Sequence, residues 1–455
     1  PMPVEPEEAT LFDESYETKL NRWNFRRTLA QKYQVVCTNP PYRATSDLVS
    51  SISEPIKKQF PDEKADLFAC FIDRCKRLTQ KNSFQAMITQ HAWMFLSSFE
   101  KLRAKLQVVD IVNMAHLGSR AFEEIGGEVV QTTSFVMRKS HTKDYKSTYC
   151  RLIEPNTQQG KEDMFLSGEN RYTAQQGNFS KIPGAPVAYW ASEKMLRAFE
   201  SGEPLDQYAD CCTGMQTGNN NLYVRCWYEI NIDTFVVRNP VGYWKKYNCG
   251  GENRRWYGNH TNVVNWGENG NAIKAEKGSV IRNETFFFHE GISWKRIGSS
   301  EFMLRYLPEG FIFDQAGDSM FSKQDDLLYY LLAYVNTNVA LCFFETIAPT
   351  MNLTAGNMSK LPIIIDIGKI KGINIIVNIN ITTSRADWDS FETSWDFTRH
   401  PLVRSAATIA EAFAAWETEC NDRFNRLKAN EEELNRIFID IYGLQDELTP
   451  EVEDK

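Results

Sequence analysis

The spacing of hydrophobic residues in the first third of the chain alternates between the helical and the strand type. Helical spacing marks residues 64–78 and 97–106, and a helix also fits residues 16–32. Apolar runs rich in strand-forming residues separate and follow these helices, and they predict strands at 33–38, 83–89, 108–114 and 129–137. This succession is typical of the second half of a doubly wound α/β domain. We therefore expect such a domain at residues 33–150, after a lead segment at 1–32.

The remaining two thirds predict a second domain and a helical region. A Thr-Gly- and Asn-rich stretch at 212–225 favours tight turns and opens a mixed segment, for which we expect an α+β domain at 151–362. A strongly apolar run at 329–344 predicts one helix. Residues 373–381 alternate Ile and Asn in the manner of a strand. Further on, the hydrophobic positions at 409–427 and 434–441 predict an acidic helical hairpin, so we expect 363–455 to be an acidic helical region.

Composition and charge narrow the class of protein. The chain has 455 residues, many of them aromatic, which is enough for two or three domains with hydrophobic cores. No apolar run is long enough for a membrane span, and the ten cysteines and six histidines lack metal-site spacing, so we expect a soluble, cytoplasmic protein without a metal site. The net charge of −8 is localised, because residues 386–455 carry 17 acidic and 7 basic side chains. Residues 236–300 are basic instead, with 10 Lys or Arg and 5 Asp or Glu.

The strongest candidate for chemistry is Asn39-Pro40-Pro41-Tyr42, which directly follows the first predicted strand. Two consecutive prolines end the strand, and they place a rigid loop at its carboxyl end, where open α/β sheets bind ligands. The side-chain oxygen of Asn39 and the carbonyl of Pro40 can together accept both hydrogens of an exocyclic amino group. Tyr42 offers a flat ring on which a base can stack. A plain Pro-Pro loop with Tyr42 as a packing residue is the structural alternative.

These four residues resemble the motif of amino-group DNA methyltransferases, and the adenine-N6 enzymes most closely. The amino-acid sequences of residues 88–102 and 116–132 resemble those of the bacteriophage-exclusion (BREX) adenine methyltransferases of the PglX-like family. The resemblance implies that residues 33–150 are the C-terminal half of a Rossmann-like methyltransferase domain and that 151–362 are a DNA target-recognition domain. It also implies that Phe71 packs against the adenine of S-adenosylmethionine and Phe122 against a flipped target base. Core packing in an amphipathic helix is an equally good reading of Phe71.

The chain departs from this family pattern at the cofactor site. Such enzymes hold S-adenosylmethionine with a glycine-rich turn that precedes the Asn-Pro-Pro-Tyr motif, whereas the 38 residues before Asn39 contain no glycine. We therefore expect a piece of a longer protein, with the main cofactor-binding motif outside it and no activity on its own. The family has a helix at the position of residues 373–381, whereas their alternation favours a strand. The sequence therefore leaves the secondary structure of this segment undecided.

Partners follow from the basic segment and from the resemblance. Lys245, Lys246, Arg254 and Arg255 are interleaved with aromatic residues and are candidates for contact with double-stranded DNA, although a solvated β surface fits equally well. The resemblance implies other phage-defence proteins as further partners. A different class of function is also compatible with the chain, namely a non-catalytic module for DNA recognition or assembly. The four-residue motif alone does not separate adenine N6 from cytosine N4.

Overall fold

A computed structural model describes residues 16–122, 130–296, 303–349 and 353–454. The chain forms two compact units, residues 1–191 and 192–455, which are treated one at a time below. Residues 1–15 of the expected lead segment lie outside the described part, and the rest of that segment forms the expected helix, α1 (Tyr16–Ala30).

The first unit is built on a six-stranded mixed sheet. Its strands are β1 (Tyr33–Thr38), β2 (Thr79–Gln90), β3 (Asp110–Gly118), β4 (Thr132–Arg138), β5 (Lys146–Arg151) and β6 (Arg171–Gln175). Their order in the sheet is β1-β2-β4-β3-β5-β6. β1 pairs with β2 in parallel, and β3 runs in the same direction because antiparallel β4 lies between β2 and β3. The carboxyl ends of β1, β2 and β3 therefore point to one edge of the sheet, and the expected α/β class is confirmed.

Helix α3 (Leu67–Leu78) shows why the sequence forms a helix that covers this sheet. The Asp66 side chain accepts a hydrogen bond from the amide of Phe68 and caps the helix. Phe68, Ile72 and Cys75 are buried against the sheet, whereas Phe71, at the margin of the same apolar stripe, is 37% exposed. The further helices of this unit are α2 (Ser50–Gln59), α4 (Glu100–Leu106) and α5 (Gln158–Ser167).

The sheet does not end at residue 150, where the sequence suggests a boundary. β5 runs parallel to β3, and β6 pairs antiparallel with β5, so the polar segment after residue 150 continues the same sheet. Tyr149, Phe179 and Tyr189 then pack together in the core. Residues 151–191 thus belong to the first compact unit.

The second unit combines two small sheets with helices. Its strands are β7 (Glu203–Pro204), β8 (Ala209–Cys212), β9 (Val224–Cys226), β10 (Trp244–Asn248), β11 (Asn262–Asn265), β12 (Gly291–Trp294), β13 (Leu304–Leu307), β14 (Phe311–Phe313), β15 (Ser319–Ser322) and β16 (Pro362–Ile363). One sheet has the order β14-β10-β11-β9 and the other β13-β12-β15-β8, while β16 pairs with β7. The helices are α6 (Glu193–Ser201), α7 (Asn220–Tyr223), α8 (Gly267–Ala275), α9 (Leu328–Val335), α10 (Asn338–Ile347), α11 (Ala355–Met358), α12 (Ile370–Trp388) and α13 (Ile409–Tyr442).

The apolar run at 329–344 is two helices, α9 and α10, and the prediction of one helix was wrong. Asn336 ends α9, because its side-chain amide exchanges two hydrogen bonds of 3.0 Å with the backbone of Leu304. Thr337 then caps α10 by accepting a hydrogen bond from the amide of Ala340. Side-chain hydrogen bonds to the backbone thus interrupt a stretch whose hydrophobicity alone favours continuity.

The ambiguous segment 373–381 is helical and lies within α12. Ile373, Val377 and Ile381 are four residues apart and buried, whereas Ile375 is 63% exposed. A strand would have placed Ile373, Ile375 and Val377 on one face.

The expected helical hairpin at 409–441 is one continuous helix, α13, so this prediction was also wrong. Thr408 caps its start, and no Gly or Pro interrupts the 34 residues before Gly443 ends it with φ of +66°. Phe438 packs against the rings of Tyr330 and Tyr334 at 5.2 and 5.6 Å between centroids and is fully buried. The last turns of α13 therefore belong to the core of the second unit.

We predict that Phe438→Ala destabilises the protein by about 3–5 kcal/mol, because it leaves a cavity between α13 and the two tyrosines. Phe413→Ala is the matched control on the same helix, because Phe413 is 50% exposed and its loss should cost less than about 1 kcal/mol. Urea unfolding measures both changes. Equal losses in the two variants would contradict the packing described for α13.

Candidate functional site

The Asn39-Pro40-Pro41-Tyr42 loop lies at the carboxyl end of β1, beside the end of β2. Asn39 and Pro41 are exposed and Pro40 is buried. Among the described residues nothing hydrogen-bonds to the Asn39 side chain, so its amide oxygen faces solvent unengaged. The loop continues into Arg43, whose amide donates to Asp66 Oδ1 at 3.1 Å and whose carbonyl accepts from Leu67 at 3.0 Å. The loop is thereby fixed to the start of α3.

Tyr42 is held from two sides. Its hydroxyl donates to the carbonyl of Ile88 on β2 at 3.2 Å, and its ring stands edge-on against Phe68 at 6.4 Å between centroids. Burial raises the pKa of Tyr42 to about 12, so the phenol is uncharged at neutral pH. The ring is therefore a neutral, oriented surface at the edge of the sheet.

Phe122 lies on the segment that follows β3, so it emerges at the same edge as the Asn39 loop. The chain turns there through Gly118 and Arg120, both with positive φ, and a Cβ at position 118 would come within 2.9 Å of Ile153. The Phe122 side chain is partly buried. Residues 123–129, the rest of this loop, lie outside the described part of the chain.

A buried chain of three polar rings underlies this edge, and sequence reasoning missed it. Nδ1 of His91, just after β2, lies 2.8 Å from Nε2 of His116 on β3, and Nδ1 of His116 lies 3.0 Å from the hydroxyl of Tyr189. Burial lowers the pKa of His91 to about 4 and that of His116 well below its usual range, so both are neutral. His91 lies in residues 88–102 and His116 in residues 116–132, the two stretches that resemble the BREX methyltransferases. That resemblance was the one signal in the sequence that could have pointed to them.

Phe71 and strand β1 form an open side of the first unit. β1 is an edge strand, and its Val35 side chain is 63% exposed. The 37% exposed ring of Phe71 on α3 is available to a planar ligand, which fits a contact with adenine. No glycine-rich turn adjoins it among the described residues, so the fit to S-adenosylmethionine is partial.

In the second unit, Lys245 and Lys246 on β10 line a cavity of about 810 Å³ together with Tyr243, Trp266 and Phe288. Burial lowers the pKa of both lysines. Lys246 Nζ stands 5.5 Å from the centroid of Phe311 and 5.4 Å from that of Trp395.

The backbone that borders this cavity is strained. Glu268, Asn269 and Gly270 have φ of 49°, 56° and 72°, three left-handed residues in succession. Such strain persists where the surroundings enforce it, and it is common at binding sites.

The side chains of Arg254 and Arg255 form ion pairs with carboxylates on two helices of the second unit. Arg254 Nη2 donates to Asp387 of α12 at 2.7 Å, and Arg255 forms an ion pair with Glu431 of α13. The indole of Trp256 donates to the same Glu431 at 2.6 Å. A phosphate would have to compete with these carboxylates, and the role of the two arginines in DNA binding stays a prediction.

Metal-binding groups and membrane-spanning helices are both absent from the described residues. No group of three or more His, Cys, Asp or Glu side chains is placed to hold a metal ion in the described ranges. Within those ranges, every helix is too short or too polar to cross a membrane.

The chain is similar to known proteins over nearly all of its length. The Eco57I restriction-modification methylase family model matches residues 5–122. The adenine-specific methyltransferase PglX of Lacticaseibacillus casei (strain Zhang) is 42% identical over 471 aligned residues, which cover 96% of this chain and 39% of the relative. The adenine-specific methyltransferase BrxX of Escherichia coli O9:H4 (strain HS) is 35% identical over 426 residues, 92% of this chain and 35% of the relative.

Among solved structures, the Type IIL restriction-modification enzyme MmeI in complex with DNA superposes with a TM-score of 0.56 at 11% identity, over 94% of this chain and 56% of that one. At this level of identity the likeness concerns the fold. The chain spans less than two fifths of the length of the two curated relatives, 39% of PglX and 35% of BrxX.

We predict that stability falls as the pH drops from about 6.5 to about 4, because the unfolded state binds a proton at His91 that the folded state excludes. The shift corresponds to a loss of up to about 3 kcal/mol over this range. His91→Gln should make this dependence shallower without abolishing it, because burial also lowers the pKa of His116. Urea titration at several pH values measures the change.

His141→Gln is the matched control for this experiment, because the His141 side chain is 65% exposed and changes its surroundings little on unfolding. It should retain the dependence of the parent protein. An unaltered pH dependence in His91→Gln would show that the buried ring is not its source.

Proposed function

We propose that the chain belongs to the PglX-like family of adenine-specific methyltransferases, as its 42% and 35% identity to PglX and BrxX supports. On this premise it carries the base-binding half and the DNA-recognition part of an adenine-N6 DNA methyltransferase. The observation that carries the proposal is the exposed, unengaged amide of Asn39 next to a fixed Tyr42 ring at the carboxyl edge of the sheet. We further propose that the whole protein acts in phage defence in the cytoplasm, alongside other proteins of such a system.

The target adenine must leave the duplex before its amino group can reach this edge, which costs a few kcal/mol. Stacking on Tyr42 would return roughly 1–3 kcal/mol of that cost. The edge-on contact with Phe68 and the hydrogen bond to Ile88 hold the ring in place beforehand, so little entropy is lost on binding. Phe122, at the same edge, is the second candidate for contact with the base.

The chemistry proposed for Asn39 and Pro40 is activation of the amino group. The nitrogen lone pair of adenine N6 is delocalised into the ring and is a poor nucleophile. Two acceptors that bind both N–H groups favour a pyramidal amine, whose lone pair then points away from the ring toward the methyl donor. S-adenosylmethionine supplies that methyl group when bound. The neighbouring residues supply position and hydrogen bonds, and the phenol of Tyr42 stays neutral.

We propose that strands outside this chain complete the sheet beside β1 and provide most of the cofactor site. The exposed Val35 on the edge strand and the exposed Phe71 on α3 support this arrangement, because a bare sheet edge and a solvent-exposed ring gain from being covered. Phe71 would then contact the adenine of the cofactor.

DNA contact is proposed for the cavity of Lys245 and Lys246. Exposed Tyr243 and Phe288 lie beside the two lysines and the strained backbone at 268–270, so phosphate-binding and stacking groups are adjacent there. A non-catalytic module for DNA recognition is the second candidate function for the chain alone. The incomplete cofactor site favours it.

In the whole protein, Asn39→Ala should lower methylation of adenine by at least about 100-fold, because one of the two acceptors is lost. Binding of double-stranded DNA should stay within about twofold, since this side chain takes no part in holding the duplex. Asn39→Asp is the matched control, because it keeps a side-chain oxygen and should retain part of the activity. Methyl transfer from labelled S-adenosylmethionine measures both, and full activity of Asn39→Ala would remove this residue from the mechanism.

Calorimetry with S-adenosylmethionine separates the two candidate functions. We expect no measurable binding to this chain and micromolar binding to a version extended upstream. Phe71→Ala in the extended version should weaken binding about tenfold, while Phe84→Ala, an exposed ring on β2, is the control. Tight binding by the chain alone would place a complete cofactor pocket within these residues, and absence of binding by both would favour the non-catalytic module.

A further inference from the structure

The second unit contains a basic cavity that neither the proposed DNA contact nor the proposed base site uses. It measures about 580 Å³ and lies between the end of α12, the segment 398–404 and the first half of α13. We infer that this cavity binds a phosphate group, and that Arg399, Arg404, Arg423 and Arg426 form the site.

The charge around the cavity is opposite to that of the region that contains it. Residues 386–455 carry 17 acidic and only 7 basic side chains, and four of those seven are the arginines of this one cavity. Two carboxylates, Glu419 and Asp422, also line it, which leaves a surplus of two positive charges. Four guanidinium groups around one cavity repel one another, and a bound anion would offset that repulsion.

One of the two carboxylates is already engaged. Arg404 donates from Nη1 to Oε1 of Glu419 at 2.6 Å and from Nη2 to Oε2 at 3.0 Å. This pairing lowers the pKa of Glu419. The pair is a fixed wall of the cavity. Glu419 is therefore occupied mainly by Arg404, with a weaker attraction to Arg423, and Asp422 is the other carboxylate of the cavity lining.

The guanidinium groups of the remaining arginines line the cavity and keep unused hydrogen-bond donors. Arg423 donates Nε to the carbonyl of Glu419 at 3.2 Å and Nη2 to the Cys420 sulfur at 3.6 Å. The side chains of Arg399 and Arg426 make no hydrogen bond or ion pair within the described ranges of the chain. Three guanidinium groups with unused donors around one concavity match the oxygens of a phosphate, which accepts the paired N–H bonds of arginine.

The acidic surroundings limit how a large ligand can bind here. A duplex lying along this region would be repelled everywhere except at the cavity, so DNA would place one or two backbone phosphates in it. A free nucleotide or inorganic phosphate would satisfy the same arginines, and the cavity volume is in the usual range for small ligands. Binding through DNA rests on the proposed function, whereas binding of free phosphate does not.

The test compares two double variants of this chain that remove equal charge. Arg399→Ala with Arg426→Ala empties the cavity of its two unpartnered arginines, while Lys428→Ala with Arg436→Ala removes two cations elsewhere on α13. The probes are inorganic phosphate, followed by phosphorus NMR, and a fluorescent DNA duplex titrated over a range of salt concentrations. Arg426→Glu serves as a second cavity variant, and thermal unfolding checks that each variant is folded.

We expect the cavity variants to weaken phosphate binding at least about tenfold relative to the control pair. If the phosphate comes from DNA, the slope of log affinity against log salt should also become shallower by about 1–2. Loss of phosphate binding with unchanged DNA binding would assign the site to a free phosphate compound. Variants that match the control in both measurements would overturn the site, and absence of any DNA binding would count against the proposed function alone.

Discussion

Parallel pairing of β1 with β2 is the constraint on which the first unit depends. It brings the exits of both strands to one edge, and it forces the chain between them to return through α3, which then covers the sheet with Phe68 and Ile72. The hydrogen bond from Tyr42 to Ile88 joins the two exits directly. Without this pairing, Asn39 would be a polar residue in an ordinary loop, because the Tyr42–Ile88 bond forms only where the ends of β1 and β2 lie side by side.

The second unit is held together by charged groups as well as by its core. Arg254 and Arg255 reach from the β region to carboxylates on α12 and α13, and Trp256 shares the partner of Arg255. Ion pairs of this kind, partly shielded and tied to an indole N–H, contribute more to fixing geometry than to net stability. The arginines that a sequence would assign to DNA thus fix the helices against the β region, while the lysines beside them face the cavity of β10.

Sequence reasoning succeeded where local patterns decide the outcome. The Pro-Pro loop after β1, the stripe of α3 and the succession of strands β1 to β4 along the chain all follow from chain-local rules, and each is present in the structure. It failed where tertiary contacts override the pattern. Asn336 breaks an apolar run through its bond to Leu304, and the buried Leu434 and Phe438 keep α13 in one piece. Partners that lie far apart in sequence, such as His91 with His116 or Arg255 with Glu431, leave no periodic signal.

The uninterrupted course of α13 restricts how the length of this region can change during evolution. At 1.5 Å per residue the helix is about 51 Å long, and about 22 Å of it separates Arg423 from the packed Phe438 near its end. Inserting a single residue between them would turn one end by about 100° relative to the other, so that either Arg423 would leave its cavity or Phe438 its core. Insertions of seven or eleven residues would restore the angle but lengthen the helix by about 10 or 16 Å, so α13 tolerates neither between Arg423 and Phe438.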